Sequence, residues 1–418
     1  MTYVLTDKLL EDYLQCASKS YLRLQGQPGE IHDFAALCSR LEARHRASAI
    51  EQLAASQTTT NDVRNFGGSP VQDALAGGYQ LILDAVGAAN GLETHFDGLE
   101  RCLGKSHLGT YCYRPIRSCR YQKPSSAFYL LLAFDALILR DLQGTLPSDG
   151  ILICGPSFKR THVSLRKYLD SLPAILSRLR LQSASAPPLA LNRHCELCEF
   201  RRTCHGKAVK TDNLTLLRGM TPKEVARYNS KGIFTVTQLS YTFRLRRPAK
   251  RQRPRFQHSF ALQALALRQH AVHVHGDPQL VLPPIQVYLD IEGIPEQSFY
   301  YLIGVLVVTS QSQQYHCFWS DDGGDQMAIF VQLAELLTSL PNCKVFHYGS
   351  YDLNAIRKML PRLPERYRES LNTTMLDSTN VLSLISFPPG FAGPAAHETL
   401  AMLCPHRRHR GRLSAWCN

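Results

Sequence analysis

Apolar residues in the first part of the chain recur at helical spacing. Leu9, Leu10, Tyr13 and Leu14, then Leu37 and Leu41, predict helix over residues 1 to about 55. The pattern then changes. Gly77 to Val86 and Gly104 to Arg117 have the composition of strands, and Phe128 to Leu142 is an apolar run long enough for a buried helix packed on them. A Ser, Ala and Pro-rich break follows at Gln182 to Pro188. Residues 214–241 predict two short helices joined at Ser230, Lys231 and Gly232, with Thr221 before Pro222 as a helix start. From Ile285 the chain resumes with VYLDIEGI and YYLIGVLVV, two strand-like runs around a turn, and an amphipathic helix across Met327 to Leu340. The expected fold class is therefore α/β throughout. The expected divisions are an α/β domain over 1–210, a helix-hairpin-helix-like module over 211–243, a basic linker over 244–284 and a second α/β domain over 285–418.

Composition narrows this picture. A chain of 418 residues exceeds what one core organises, and 44% apolar with 19% charged residues belongs to a folded protein rather than a disordered one. A net charge of +13 favours a polyanionic partner, because Lys and Arg that neutralise phosphates release condensed counterions. No run of about eighteen apolar residues occurs, so no membrane partner is expected. The opening MTYVLTDKLLEDYL is acidic and amphipathic rather than a secretion signal, and a cytoplasmic location is expected. In that setting the thirteen cysteines read as thiols or metal ligands rather than a disulfide framework.

Cys195, Cys198 and Cys204 form a C-x2-C-x5-C array in HCELCEFRRTC, flanked by His194 and His205. Three thiolates this close suit a soft metal or an iron–sulfur cluster, and both want a fourth ligand. Cys16 is the candidate, since one early cysteine and three late ones would staple the two ends of the domain. These residues resemble RecB-like nucleases with the PD-(D/E)XK core, in the iron–sulfur branch that includes CRISPR-associated nucleases. The resemblance covers roughly the first 210 residues and implies a [4Fe–4S] cluster on Cys16, Cys195, Cys198 and Cys204. The alternative is Zn²⁺ held by the three late cysteines and either His194 or His205. In both readings the metal is structural, and cysteines such as Cys38, Cys102, Cys112 and Cys154 are small buried hydrophobes.

That resemblance also implies a nuclease site. The family places an Asp on one strand and an acid two residues before a Lys on the next, so that carboxylates hold Mg²⁺ and the Lys positions water. Asp97, in FDGLER, stands at the first acid. In TYCYRPIRSCRYQKP the acid and Lys positions are Arg117 and Cys119. An arginine there repels a divalent cation, so the first site is expected to be degenerate. His45, in LEARHRAS, reads either as an extra metal ligand or as part of an exposed basic helix face.

VYLDIEG puts Asp290 and Glu292 two residues apart, on one face of a strand. Paired carboxylates on one strand face repel unless a cation binds, and metal-dependent phosphodiester hydrolysis uses such acids. The segment resembles the first motif of RNase H-like exonucleases of the DEDD group. FHYGSYDLNAI resembles their second, with Asp352 opening a helix, and Asp377 stands where a further acid is expected. The resemblance implies Mg²⁺ or Mn²⁺ at Asp290, Glu292 and Asp352. Beyond Asp377 the chain contains Glu398 but no acidic helix, and the Pro, Arg and His-rich ending predicts a truncated or frame-shifted domain.

Between the two domains, backbone amides at Lys231 and Gly232 are candidates for phosphate contact. RLRRPAKRQRPR adds seven basic residues in twelve, Arg244, Arg246, Arg247, Lys250 and Arg251 among them, interrupted by prolines that forbid regular helix. The order of modules resembles a bacterial family of RecB-like nucleases across nearly the whole chain. The expectation is a metal-dependent nuclease acting on DNA rather than RNA, possessing an active C-terminal site or, alternatively, only nucleic-acid binding.

Overall fold

The computed structural model describes residues 3–56, 63–182, 185–244, 259–271, 273–274, 282–294, 299–321, 325–382 and 391–392. It divides into two units, Met1–Lys210 and Thr211–Asn418, and both are mixed α/β.

In the first unit a two-residue strand, β1 (Leu5–Thr6), runs into α1 (Asp7–Gln15), whose start is capped by Thr6 Oγ1 accepting from Leu9 N. Cys16 is extended (φ −164°) and separates α1 from α2 (Ala17–Leu24). Gly26 then takes a left-handed turn and Pro28 withholds an amide, so helix resumes only at α3 (Asp33–Ala55). The helix expected over residues 1–55 is therefore three helices.

The chain continues through β2 (Val63–Pro70), α4 (Gln72–Ala76), β3 (Leu81–Ala89), β4 (Leu92–Ser106) and β5 (Gly109–Cys119). The strand material expected over Gly104–Arg117 divides into the end of β4, a turn and β5, since Gly109 (φ +129°) lets the chain reverse. Next come α5 (Ser126–Gln143), β6 (Asp149–Cys154), β7 (Lys159–Ser164), α6 (Arg166–Leu181) and α7 (Arg201–Lys210). Strands β2 to β7 lie side by side in chain order, with β1 added parallel to β4.

Strand alternation sorts the core into layers. Ile82, Phe96 and Tyr113 face the α5 side, where Leu131, Phe134 and Ile138 are buried, whereas Leu81, Leu83 and Ile116 meet Ala49, Ile50 and Leu53 of α3. Asp97 and Arg117 thus stand on central strands between two helical layers.

The second unit opens with α8 (Pro222–Asn229), α9 (Val236–Ser240) and α10 (Phe260–Gln269), which share a small core of Leu214, Leu217, Val236, Leu239 and Phe260. Reciprocal capping boxes, Thr221 with Glu224 and Thr235 with Gln238, fix the starts of α8 and α9. After β8 (His273–Val274) come β9 (Gln286–Ile294), β10 (Phe299–Val308), β11 (Gln313–Trp319), α11 (Gln326–Ser339), β12 (Lys344–His347), α12 (Tyr351–Met359), α13 (Glu365–Leu376), β13 (Thr379–Asn380) and β14 (Phe391–Ala392). The main sheet has the order β11-β10-β9-β12-β13, antiparallel across β11-β10-β9 and parallel across β9-β12-β13. Val287, Leu289, Ile291, Ile303 and Val305 pack with Ile329, Phe330 and Leu333 of α11 and Ala355 and Ile356 of α12. No helix among the described residues is long and apolar enough to cross a membrane.

Two glycines test the packing. A Cβ on Gly87 would overlap the buried Phe96 ring, whereas one on Gly206, inside α7, meets nothing. Gly87→Ala is expected to destabilise the fold by about 1–3 kcal/mol through overpacking. Gly206→Ala is expected to stabilise it by about 0.5–1 kcal/mol through the unfolded state and helix propensity. Urea titration of each variant reads both signs.

Candidate functional site

Strand β9 buries Val287, Leu289 and Ile291 and turns Tyr288, Asp290 and Glu292 to the other face. Opposite Asp290 on β10 stands Gly304, and the Tyr315 hydroxyl of β11 lies against it where a Cβ would press. β12 runs parallel to β9 with His347 level with Leu289, which brings the end of β12 beside Asp290. There Gly349 turns with φ +84°, its amide donating to Asn380 Oδ1 at 3.0 Å. His347 Nδ1 lies 2.8 Å from the Gly349 carbonyl oxygen. The first turn of α12 follows and directs Asp352 back onto β9, where its Oδ1 accepts from the amide of Ile291 at 3.0 Å.

Asp352 is 3% exposed. Burial pushes its carboxyl up to about 6; the Ile291 amide pulls it down, and the charges of Asp290 and Glu292 raise it further. Three carboxylates therefore sense one another across the end of β9. Burial, then Tyr300 and Glu292, raise the Tyr351 hydroxyl, which also leaves no room for a side chain at Gly293. Asp377 stands elsewhere. It caps the end of α13 and pairs with Lys344 Nζ at 2.8 Å, with its side chain 75% exposed. Lys344 is level with Gln286, four residues before Asp290 on β9, or roughly 13 Å along a strand. The structure does not bring Asp377 to the other three acids. Asn380, which no sequence signal marked, stands at the Asp352 end and holds the turn.

A family model described as RNase_H superfamily matches residues 287–385. The match runs from β9 past β13 and contains Asp290, Glu292, Asp352 and Asp377. No curated protein matches the chain. The match supports a nuclease-type, nucleic-acid-processing domain over these residues, and RNase H-like nucleases generally use Mg²⁺ or Mn²⁺. Among the described residues no three His, Cys, Asp or Glu side chains are arranged to hold a metal ion. The donor set at the end of β9 nonetheless suits a hard divalent cation, because a buried carboxylate raised by two like charges gains from positive charge.

In the first unit the strand acid is already satisfied. Asp97 Oδ1 is 2.5 Å from Arg46 Nε of α3, and its Oδ2 accepts from both the amide and the hydroxyl of Ser118 at 2.7 Å. Arg46 also reaches Asp84 at 2.7 Å. Arg117 points to the other side of β5 and donates to both oxygens of Asp135 on α5 at 2.8 Å, and to Asp7 at 3.0 Å. Burial works against the Arg117 charge, but Asp135 and Asp7 outweigh it and hold the guanidinium well above its ordinary pKa. His45 stacks on Phe158 with ring centroids 4.9 Å apart and its Nε2 lies 3.0 Å from the Gly155 carbonyl oxygen. Neither Arg46 nor Asp135 carried a sequence signal.

Cys16, between α1 and α2, and Cys195, Cys198 and Cys204, around the start of α7, line one small cavity with Lys19 and His194. Its volume of about 10 Å³ is on the order of what one water or one ion needs. Burial and the neighbouring Cys16, Cys198 and Cys195 push the Cys204 thiol up to about 11. Burial likewise raises Cys195 and Cys198, and thiols whose ionisation is opposed in this way suit a soft cation, which stabilises thiolates. His194 Nε2 lies 3.2 Å from Lys19 Nζ, and burial, then Lys19, depress its pKa.

The amides of Lys231 and Gly232 do not face outward for a phosphate, contrary to expectation. They donate to Tyr228 O at 2.9 Å and Asn229 O at 3.0 Å, closing the end of α8 around Gly232 (φ +76°). Arg244 is exposed; Arg246, Arg247, Lys250 and Arg251 lie outside the described residues.

Two measurements follow from these charges. Arg117→Met should cost about 3–5 kcal/mol by leaving Asp135 buried without its partner, read by urea unfolding. Asp352 has a folded pKa of about 6 against an ordinary 3.8. In metal-free buffer its ionisation therefore favours the unfolded chain, with stability falling as pH rises between those values. Asp352→Asn should raise the melting temperature in chelator at about pH 7.5 and change it little at about pH 4.

Proposed function

We propose that the RNase H-like domain hydrolyses phosphodiester bonds in DNA at Asp290, Glu292 and Asp352. The observation that supports this reading is the placement of Asp352, buried and hydrogen-bonded to the backbone between Asp290 and Glu292, two acids on one strand face. A divalent cation bound there supplies Lewis acidity and an activated water for attack on phosphorus. The chain's own contribution is positional. The Ile291 amide fixes the Asp352 rotamer, Gly349 and Asn380 set the angle at which α12 leaves the sheet, and Gly304 makes room for the Tyr315 hydroxyl on the strand beside Asp290.

The first unit is, in this reading, a RecB-like PD-(D/E)XK fold that has lost its nuclease chemistry. Arg46 and Arg117 bring positive charge to the acids from within the protein, and a carboxylate salt-bridged to a guanidinium has little left to offer a metal. The four thiols are proposed to hold a [4Fe–4S] cluster, with a single Zn²⁺ as the alternative that the small cavity favours. DNA is proposed over RNA on the RecB-like resemblance. The placement of Asp377 away from the other acids supports a second reading, in which the chain binds nucleic acid without cutting it.

End-labelled single-stranded and duplex DNA incubated with Mn²⁺ separates these readings. Wild type and Asp97→Ala should degrade it, while Asp290→Ala should lose cleavage by roughly a thousandfold, as expected when an essential carboxylate is removed. Retained binding without cleavage by wild type would establish the second reading, and cleavage that survives Asp290→Ala but not Asp97→Ala would sink the proposal.

A further inference from the structure

The first unit holds a second, larger cavity of about 500 Å³, away from the thiols. Its walls come from the segment before α5, the first turn of α5, and the β6–β7 hairpin. Register sets its chemistry. Lys159 is paired with Cys154 and Thr161 with Leu152, so the Lys and Thr side chains stand on the face where Leu152 and Cys154 pack near α5. Ser157 lies in the turn joining the two strands, and Gln122 and Lys123, from the segment before α5, also line the cavity. Among the described residues that line the cavity there is no carboxylate. No ion pair is formed by Lys123 or Lys159 among the described residues.

Lys123 and Lys159 give the cavity two exposed ammonium groups and its lining holds no carboxylate, so an anion that entered would be drawn to both. Ser157, Thr161 and Gln122 add neutral donors beside them. The size falls in the range of small-molecule sites, roughly 300–1,000 Å³, and exceeds what a bare inorganic anion fills. Tyr129 supplies an aromatic wall already held in place, its ring stacked on Tyr168 of α6 with centroids 5.1 Å apart and the planes meeting at 15°. A fixed ring of this kind stacks a nucleobase at low entropic cost.

We propose that this cavity binds a phosphate-bearing nucleotide, with Lys123 and Lys159 on the phosphate and Tyr129 against the base. The ligand is either a free mononucleotide or one residue of a nucleic-acid strand, since both present the same groups. The site belongs to the first unit and uses none of the acids at β9, so its failure and the failure of the hydrolysis proposal are separate results.

The test is equilibrium dialysis of the full chain against radiolabelled AMP, a 5′-phosphorylated hexathymidylate and the same oligonucleotide with a 5′-hydroxyl. The double variant Lys123→Ala/Lys159→Ala should bind at least one of the three about tenfold more weakly than wild type, the loss expected for charged hydrogen bonds. Lys159→Arg, which keeps the charge, should retain most of the binding, and an unchanged melting temperature excludes unfolding as the cause. Loss of AMP binding identifies a free nucleotide as sufficient. Loss confined to the 5′-phosphorylated strand identifies a strand end, and equal loss for both oligonucleotides an internal phosphate. Equal affinity of wild type and double variant for all three ligands, or no measurable binding of any of them by wild type, overturns the proposal.

Discussion

A carboxylate taken out of water must be given positive charge or hydrogen-bond donors, and the two units meet that demand in opposite ways. In the first, guanidiniums come from the chain itself. Asp97 and Asp84 share Arg46, and Asp135 and Asp7 share Arg117, so the central strands carry two guanidiniums among four carboxylates. In the second, Asp352 is given one backbone amide and two neighbouring acids, which leaves its charged form under-compensated. The acids of the first arrangement are held by guanidiniums of the chain's own, and the carboxylate of the second would gain from a cation. Burial raises Asp135 to about 6 even beside Arg117, so what separates the two sites is the guanidinium that faces the acids of the first.

This contrast was half legible in the sequence. Asp290 and Glu292 at strand spacing, with Asp352 after a strand and a turn, follow from period-two geometry, and the structure gathers them at one end of β9. Asp377 shows where such reasoning runs out. Its position in the motif says that it lies near a strand, but only register says which end, and β12 pairs it with Lys344 at the far one. Likewise Arg117 was visible as an intrusion, whereas its partners Asp135 and Asp7 come from 18 and 110 residues away along the chain. Arg46 lay inside a helix that read as a basic surface. Long-range ion pairs leave no periodic trace, because they need one correct side chain at each end and nothing between.

Helix boundaries failed for a different reason. The apolar spacing over the first 55 residues is helical almost throughout, yet Cys16 interrupts it in an extended conformation. That break places Cys16 against the loop that carries Cys195 and Cys198. The junction is reinforced without any metal: Arg23 bridges Asp12 and Glu199 at 2.8 and 2.7 Å, Asn192 donates to the Gln15 carbonyl, and Glu30 N donates to the Glu199 carbonyl. A local propensity was overridden because the tertiary contacts it enabled outweigh one lost turn of helix.

Such polar stitching bears on what the thiols are for. If the ends of the first unit were joined only through a metal, loss of that metal would unfold the unit, as in small zinc domains. Here Asp12 is fully buried and is paired with both Lys19 and Arg23, so the first two helices are tied to each other and, through Arg23 and Glu199, to the cysteine loop. A metal or cluster would then act on a junction that already exists, setting the thiols' ionisation and local rigidity more than the fold itself. The same economy governs Asp97. Its carboxylate is met by Arg46 and by the amide and hydroxyl of Ser118, all from the chain itself, so its charge is held on a buried strand without a bound ion.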